Sequence, residues 1–197
     1  MKNILFVLLL CNTLFAQSQV VNIEGWDGTR IDGVYYKDVN NHLNQFEGTY
    51  KYTEGNTEIT MVFKKIINYY DGVYYEDLLI GEVKFVKDGL ILFNNLSKIN
   101  TVYPNQFSHH IVGNTILEPT NRPVCVGCTA NQKRVDLIFF GRENNMGGSI
   151  ILQKITQGNQ PDKLKIDIMY LGSIWLPGEP KPLDALIKNG EYLLIKQ

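Results

Sequence analysis

The sequence predicts an all-β fold, on three observations. Several segments alternate apolar and polar residues with a period of two, which places one face of an extended strand against a core and the other against water. Asp-Gly and Asn-Gly pairs separate these segments, and they suit the positive φ angles of tight hairpins. Helix signatures are scarce: residues 182–188 have the pattern for one or two helical turns, and residues 37–45 for another.

The strands follow in chain order. Phe46, Gly48, Tyr50 and Tyr52 share one face, opposite Glu47, Thr49, Lys51 and Thr53. Residues 59–67 form an apolar run. Leu79, Gly81, Val83 and Phe85 are expected inward, with Glu82 and Lys84 on the wet face. Further runs lie at 90–93, 135–140, 149–155 and 192–195, and a short strand is expected at 110–117. Leu164, Ile166, Ile168 and Tyr170 oppose Lys165, Asp167 and Met169. Turns are placed at Glu54-Gly55-Asn56, Lys87-Asp88-Gly89, Asn145-Met146-Gly147-Gly148, Gln157-Gly158-Asn159 and Asn189-Gly190. About nine strands joined mostly by short turns describe a meander closed into a barrel, with a β-sandwich as the alternative. Closure removes the exposed strand edges that invite aggregation. A lipocalin-like barrel leads, because Phe46-Glu47-Gly48-Thr49-Tyr50 resembles the glycine-x-aromatic opening of that superfamily's first strand.

Residues ahead of the strands read as an address. A short basic start, Met1-Lys2-Asn3, precedes an apolar run through Phe15 and Ala16, the pattern of a cleaved export signal at 1–16, with cleavage after 18 as the variant. Cys11 follows Leu10, whereas a lipid-anchor site has a small residue there, so lipidation is disfavoured. The mature chain is then expected in the periplasm or outside the cell, as an extended segment at 17–45 and a single β domain at 46–197. Beyond the signal no segment is long and apolar enough to cross a membrane as a helix. With 19 basic against 20 acidic residues and a formal charge of -1, no global positive field exists to hold nucleic acid. A monomer is expected.

One heptapeptide occurs twice. Asp32-Gly33-Val34-Tyr35-Tyr36-Lys37-Asp38 returns as Asp71-Gly72-Val73-Tyr74-Tyr75-Glu76-Asp77. Two equivalent binding sites are one reading. A reused turn and strand edge, with tyrosine rings over the core rim, is the favoured one, since two copies fall short of a solenoid.

Candidate chemistry centres on Cys125-Val126-Gly127-Cys128, the two cysteines that remain once Cys11 leaves with the signal. In an exported protein this pair reads first as a disulfide, Cys125 to Cys128. A redox couple is the weaker reading, because no amphipathic helix follows to lower a thiol pKa. Metal is not expected; the alternative zinc set would add His109 and His110, which in a regular strand point to opposite faces. Arg122 and Arg134 flank the cysteines as a conceivable anion site, with solvated arginines as the plainer reading. His42 sits in a polar run and is expected exposed. Trp26 and Trp175 occupy turn contexts and either plug a barrel end or mark a recognition surface, the plug being favoured. Residues 94–133 are the least regular stretch, of the kind that carries binding loops. No nucleophile elbow, zinc helix, phosphate loop or dinucleotide fingerprint occurs, so no cofactor, no catalytic residue and no enzymatic activity is supported.

Tyr35-Tyr36-Lys37-Asp38, Phe46-Glu47-Gly48-Thr49-Tyr50-Lys51-Tyr52, Leu79-Ile80-Gly81-Glu82-Val83 and Gly190-Glu191-Tyr192-Leu193-Leu194, behind a signal ending Phe15-Ala16-Gln17, resemble a family of small secreted proteins of flavobacteria and other Bacteroidetes. That family is a domain of unknown function, and the resemblance spans nearly the whole chain. It implies export and carries no ligand or catalytic residue across. The functional expectation is therefore a barrel that binds a small apolar or amphipathic ligand inside. The alternative is a cell-envelope module that contacts protein or glycan without catalysis.

Overall fold

The computed structural model describes residues 19–141, 146–156, 158, 160–171 and 186–197; the expected signal, Cys11, Trp175 and most of the 182–188 helical pattern lie outside them. Eleven strands are present among the described residues: β1 (Val20–Asn22), β2 (Tyr35–Lys37), β3 (Gly48–Glu54), β4 (Thr57–Tyr70), β5 (Tyr75–Lys87), β6 (Leu90–Asn94), β7 (Ile111–Leu117), β8 (Arg134–Gly141), β9 (Met146–Ile155), β10 (Lys163–Tyr170) and β11 (Gly190–Lys196). No α-helix occurs among the described residues, and none there is long and apolar enough to cross a membrane. Residues 37–45, expected to make a helical turn, instead finish β2 and enter a 3-10 turn at Leu43–Phe46.

Eight of these strands close on themselves. The antiparallel ladder runs β3-β4-β5-β7-β8-β9-β10-β11 and returns to β3 through Ile195 opposite Lys51 and Lys196 opposite Tyr50. The result is a closed antiparallel barrel consistent with a lipocalin-like architecture. The nine expected strands correspond to β3 through β11; β1 and β2 raise the total, and these two together with β6 lie outside the ring. All three attach directly or indirectly to one edge of β5, which pairs in turn with β2 at Tyr75–Glu76, with β7 at Leu79–Gly81, and with β6 at Lys84–Lys87.

Alternation delivers the inner face as expected. Phe46, Tyr50, Leu79, Val83, Phe85, Leu164, Ile166 and Ile168 are buried in one continuous core, and Tyr52 packs against it. The turns at 54–56 and 87–89 are tight, with Gly55, Asp88 and Gly89 at positive φ. Phe63 lies opposite Gly48 on one neighbouring strand and Gly81 on the other. A Cβ on Gly81 would come within 2.9 Å of the Phe63 ring and 3.1 Å of Ile111 Cβ, so that glycine makes room for the ring. Side chains fill the interior. A small opening among the described core residues, between Val83, Phe93, His110, Phe139 and Ile187, holds about 10 Å³, room for about one water at most.

Two expectations fail on the outer surface. Met146, Gly147 and Gly148 were expected in a turn and instead open β9. Glu82, expected wet, is fully buried. A second apolar layer covers that part of β5: Leu78, Ile80 and Val112 pack outward against Ile66, Tyr69, Ile99, Phe107 and Phe140. Period two defines two faces of a strand, but only the distant chain decides whether the outer one meets water.

The duplicated heptapeptide forms a seam. Its copies run parallel, with Tyr35 opposite Tyr75 and Tyr36 opposite Glu76. The last residue of each copy, Asp38 and Asp77, meets Lys65 of β4, whose Nζ lies 2.8 Å from Asp38 Oδ2 and 4.0 Å from Asp77 Oδ2. All three side chains are buried. Asp38 also accepts from the backbone N–H of His42 and Leu43, and Asp77 from Tyr35 Oη, Asn68 N and Asp38 N. This is the turn-and-edge reading of the repeat.

Removing the shared cation leaves two buried carboxylates facing each other. Lys65→Ala is therefore expected to lower stability by roughly 3–5 kcal/mol, read as a shift of the urea midpoint with unchanged slope. A loss under 1 kcal/mol would mean that the backbone donors alone hold the seam.

Candidate functional site

A large concavity among the described residues lies on the flank of the barrel. It is a cleft of about 620 Å³ over the outer faces of β5, β7, β8 and β9, bounded on one side by the segment between β1 and β2. Trp26, Tyr74, Phe107 and Phe140 give it aromatic walls, and Arg30, Glu76, Asn114, Asp136 and Ser149 supply polar groups. No histidine, cysteine or lysine lines it among the described residues.

Strand geometry creates this cleft. Between the β2 pairing at Glu76 and the β7 pairing at Leu79, the edge of β5 has no ladder partner. On the facing strand the β7–β8 register shifts between Val112 and Thr115, with Gly113 at φ 153°. Asn114 spans the gap: its Nδ2 donates to the Asp77 carbonyl at 2.9 Å and to Glu76 Oε2 at 2.9 Å.

Trp26 is fixed from behind. Its ring stacks on Tyr36 with centroids 4.3 Å apart, meets Tyr74 edge-on at 5.9 Å, and its Nε1–H donates to the Thr29 carbonyl. It packs on the core as a plug would, and also borders the cleft. The Arg30 guanidinium stands 5.5 Å from the Tyr74 ring centroid, a cation–π distance.

Glu76 is the anomaly of the site. It is 3% exposed, and while Oε2 accepts from Asn114, Oε1 is shut from water with no hydrogen-bond partner. Burial pushes its carboxyl up to about 7, Asp71 adding to the effect, against the pull of the Asn114 hydrogen bond and the Arg30 charge. Asp136 across the cleft is also raised by burial, while Ser149 Oγ donates to it. An orphaned carboxylate oxygen beneath an open cleft is costly to the fold and is the kind of group a ligand donor satisfies.

A second buried carboxylate is saturated. Glu82 has His109 Nδ1 at 2.7 Å from Oε1 and His110 Nδ1 at 3.1 Å from Oε2. A carboxylate only accepts, so His109 carries a proton on Nδ1, while His110 Nδ1 also has the Asn95 side-chain amide nitrogen 3.1 Å away. Burial would raise this carboxyl, but the two imidazole bonds hold it below the usual range. The adjacent histidines converge because they sit in the bend after the 3-10 turn at Gln106–Ser108, before β7 begins.

The other sequence candidates fall elsewhere. Cys125 and Cys128 form a disulfide with Cα atoms 5.6 Å apart. Their sulfurs are bonded to each other and the two histidines to Glu82, so the four are not brought together as a ligand set. No group of three or more metal-ligating side chains occurs among the described residues. Arg134 is buried and donates to the carbonyls of Glu118 and Asn121, holding the loop before β8. Arg122 is exposed. His42, expected exposed, is half-buried against Glu24 at 3.0 Å. A second cleft of about 580 Å³ beside the disulfide loop is lined by Gln45, Thr129, Gln132, Gln153 and Lys154, with no buried unpartnered side chain. Sequence reasoning missed Glu76 as a site residue. The signal was present: the two heptapeptide copies differ at one internal position, Lys37 against Glu76.

A family model described as a family of unknown function (DUF6705) matches residues 1–197. No curated protein and no solved structure matches the chain.

The raised Glu76 carboxyl sets a pH dependence. Its folded value of about 7 stands above the ordinary 4.5, so the proton it holds stabilises the fold below pH 4.5, and that support is lost as pH rises through 7. Glu76→Gln keeps the acceptor for Asn114 and does not titrate. It is expected to be more stable than the parent at pH 8 by up to roughly 3 kcal/mol, the gap closing towards pH 4.5 in urea melts. A pH-independent difference would place the carboxyl in water.

Proposed function

From the premise that the chain belongs to the DUF6705 family of unknown function, we propose that it is a non-catalytic binding protein that takes a small amphipathic molecule into the flank cleft. The observation that carries this reading is Glu76 Oε1, buried and unpartnered beneath a 620 Å³ cleft with aromatic walls. That volume falls within the range of small-molecule sites, and the mixture of rings with a few convergent polar groups is their usual composition. The barrel interior is the less favoured place for a ligand, since the opening among its buried side chains holds only about 10 Å³.

The protein acts outside the cytoplasm on this proposal. Residues 1–16 supply the export signal, and a short disulfide loop suits an oxidising compartment. Intact-mass measurement of the chain expressed with its leader is expected to find Gln17, or Gln19 for cleavage after Ser18, as first residue. Retention of Met1 in an exporting host would remove the basis for an extracytoplasmic role.

A screen of phenyl-bearing amphipathic fragments by protein NMR tests the cleft. Binding is expected to shift the Trp26 indole N–H, the Asn114 side-chain amide and the backbone of β8, while the methyls of Ile150 and Ile166 inside the barrel stay still. Shifts centred on those inner methyls would return the ligand to the interior. Shifts confined to outer strands such as β6 would favour the envelope-interaction alternative.

A further inference from the structure

Resting on the cleft reading above, we propose that the ligand is a protonated amine with an N–H to donate and an apolar, ring-sized body, its ammonium paired with the Glu76 carboxylate as that side chain turns Oε1, closed from water in the free protein, towards the cleft, and its body between the aromatic walls.

Two separate deficits of the site specify this class. Oε1 lacks a donor, since Asn114 Nδ2 is divided between Glu76 Oε2 and the Asp77 carbonyl. The carboxylate also lacks a matching charge in contact with it. Arg30, the cation of the cleft, stands over the Tyr74 ring and makes no hydrogen bond to Glu76. A neutral hydroxyl would repair the first deficit and leave the second. A quaternary ammonium would do the reverse. A primary or secondary ammonium repairs both at one atom. Trp26, Tyr74, Phe107 and Phe140 then cover the hydrocarbon, and their ring faces favour a cation at the boundary.

Charge around the cleft agrees. Arg30 contributes one positive group, against carboxyls on Glu76 and Asp136 in the lining and Asp71 at the turn before β5. Asp77 faces away into the seam with Lys65. Tyr69 of β4 and Tyr36 of β2, the cross-strand neighbours of Glu76, bring no charge. An anionic head group would meet two lining carboxyls.

Burial raises the Glu76 carboxyl to about 7, so it still carries protons near neutrality. An ammonium that binds the carboxylate therefore expels a proton, and affinity climbs as pH rises from 6 to 8. A neutral donor shows a much weaker trend.

Three probes separate the possibilities: phenethylammonium, phenethyl alcohol and phenylacetate share a body and differ in head group. Each is titrated calorimetrically into the full mature chain at pH 6, 7 and 8, in two buffers of different ionisation heat. The ammonium is expected to bind at least about tenfold more tightly than either competitor at pH 8, with proton release at pH 7. Glu76→Gln is expected to abolish both the preference and the proton release. Proton release by the unaltered chain tests the same point should that variant fold poorly. If the alcohol matches the ammonium, or the acid exceeds it, with NMR shifts still at Trp26 and Asn114, the ligand class is overturned and the cleft stands. If no probe perturbs those residues, both readings fall.

Discussion

Two buried aspartates sharing one lysine hold the rest of this structure in place. Asp38 and Asp77 come from elements 39 residues apart in sequence, and Lys65 comes from the strand between them. Isolated, any of the three charges would be too costly to bury. Together, with five donors from backbone and tyrosine closing the remaining lone pairs, they become a clamp. It ties β2 and the Leu43–Phe46 turn to β4 and β5, and it fixes the Asn68 bulge at φ 56°. It also fixes what lies beside it. Adjacent residues on a strand point to opposite faces, so holding Asp77 in the seam turns Glu76 towards the flank.

A packed barrel leaves its concavity on the outside. With Phe63 set between Gly48 and Gly81 and one continuous cluster of buried apolar side chains among the described residues, the interior is an ordinary hydrophobic core. Barrels of eight strands are at the size where side chains alone suffice to fill the middle. Concavity then arises where the ring is imperfect. The edge of β5 changes partner from β2 to β7, β7 slips its register against β8, and one amide, Asn114, bridges the interval. The cleft and the gap in the ladder are one feature.

Most of this architecture was legible in the sequence. Alternation in β3, β5 and β10 gave the inner face residue by residue, and Asp88-Gly89 and Gly55 marked the hairpins. The chemistry was less legible, for a physical reason. Local periodicity assigns two faces to a strand, while burial of the outer face depends on chain that arrives from elsewhere. Glu82 looks wet in its own strand and is dry because residues 94–110 fold over it. His109 and His110 look divergent by strand geometry and converge because they occupy a bend. The disulfide was readable because its partners are three residues apart, so no tertiary arrangement was needed to bring them together.

Glu76 and Glu82 make the decisive comparison, since they lie six residues apart on one strand and are equally hidden from solvent. Burial acts on both in the same direction. At Glu82 two imidazoles, one for each oxygen, overcome it, and the carboxyl stays ionised as a structural anchor for the segment that covers it. At Glu76 one amide serves one oxygen, and burial prevails. A fold able to place two histidines on one carboxylate has the means to saturate the other, and a glutamine at position 76 would have avoided the penalty altogether. An ionisable group at that position, under a cleft and short of one donor, is the feature on which the binding proposal rests.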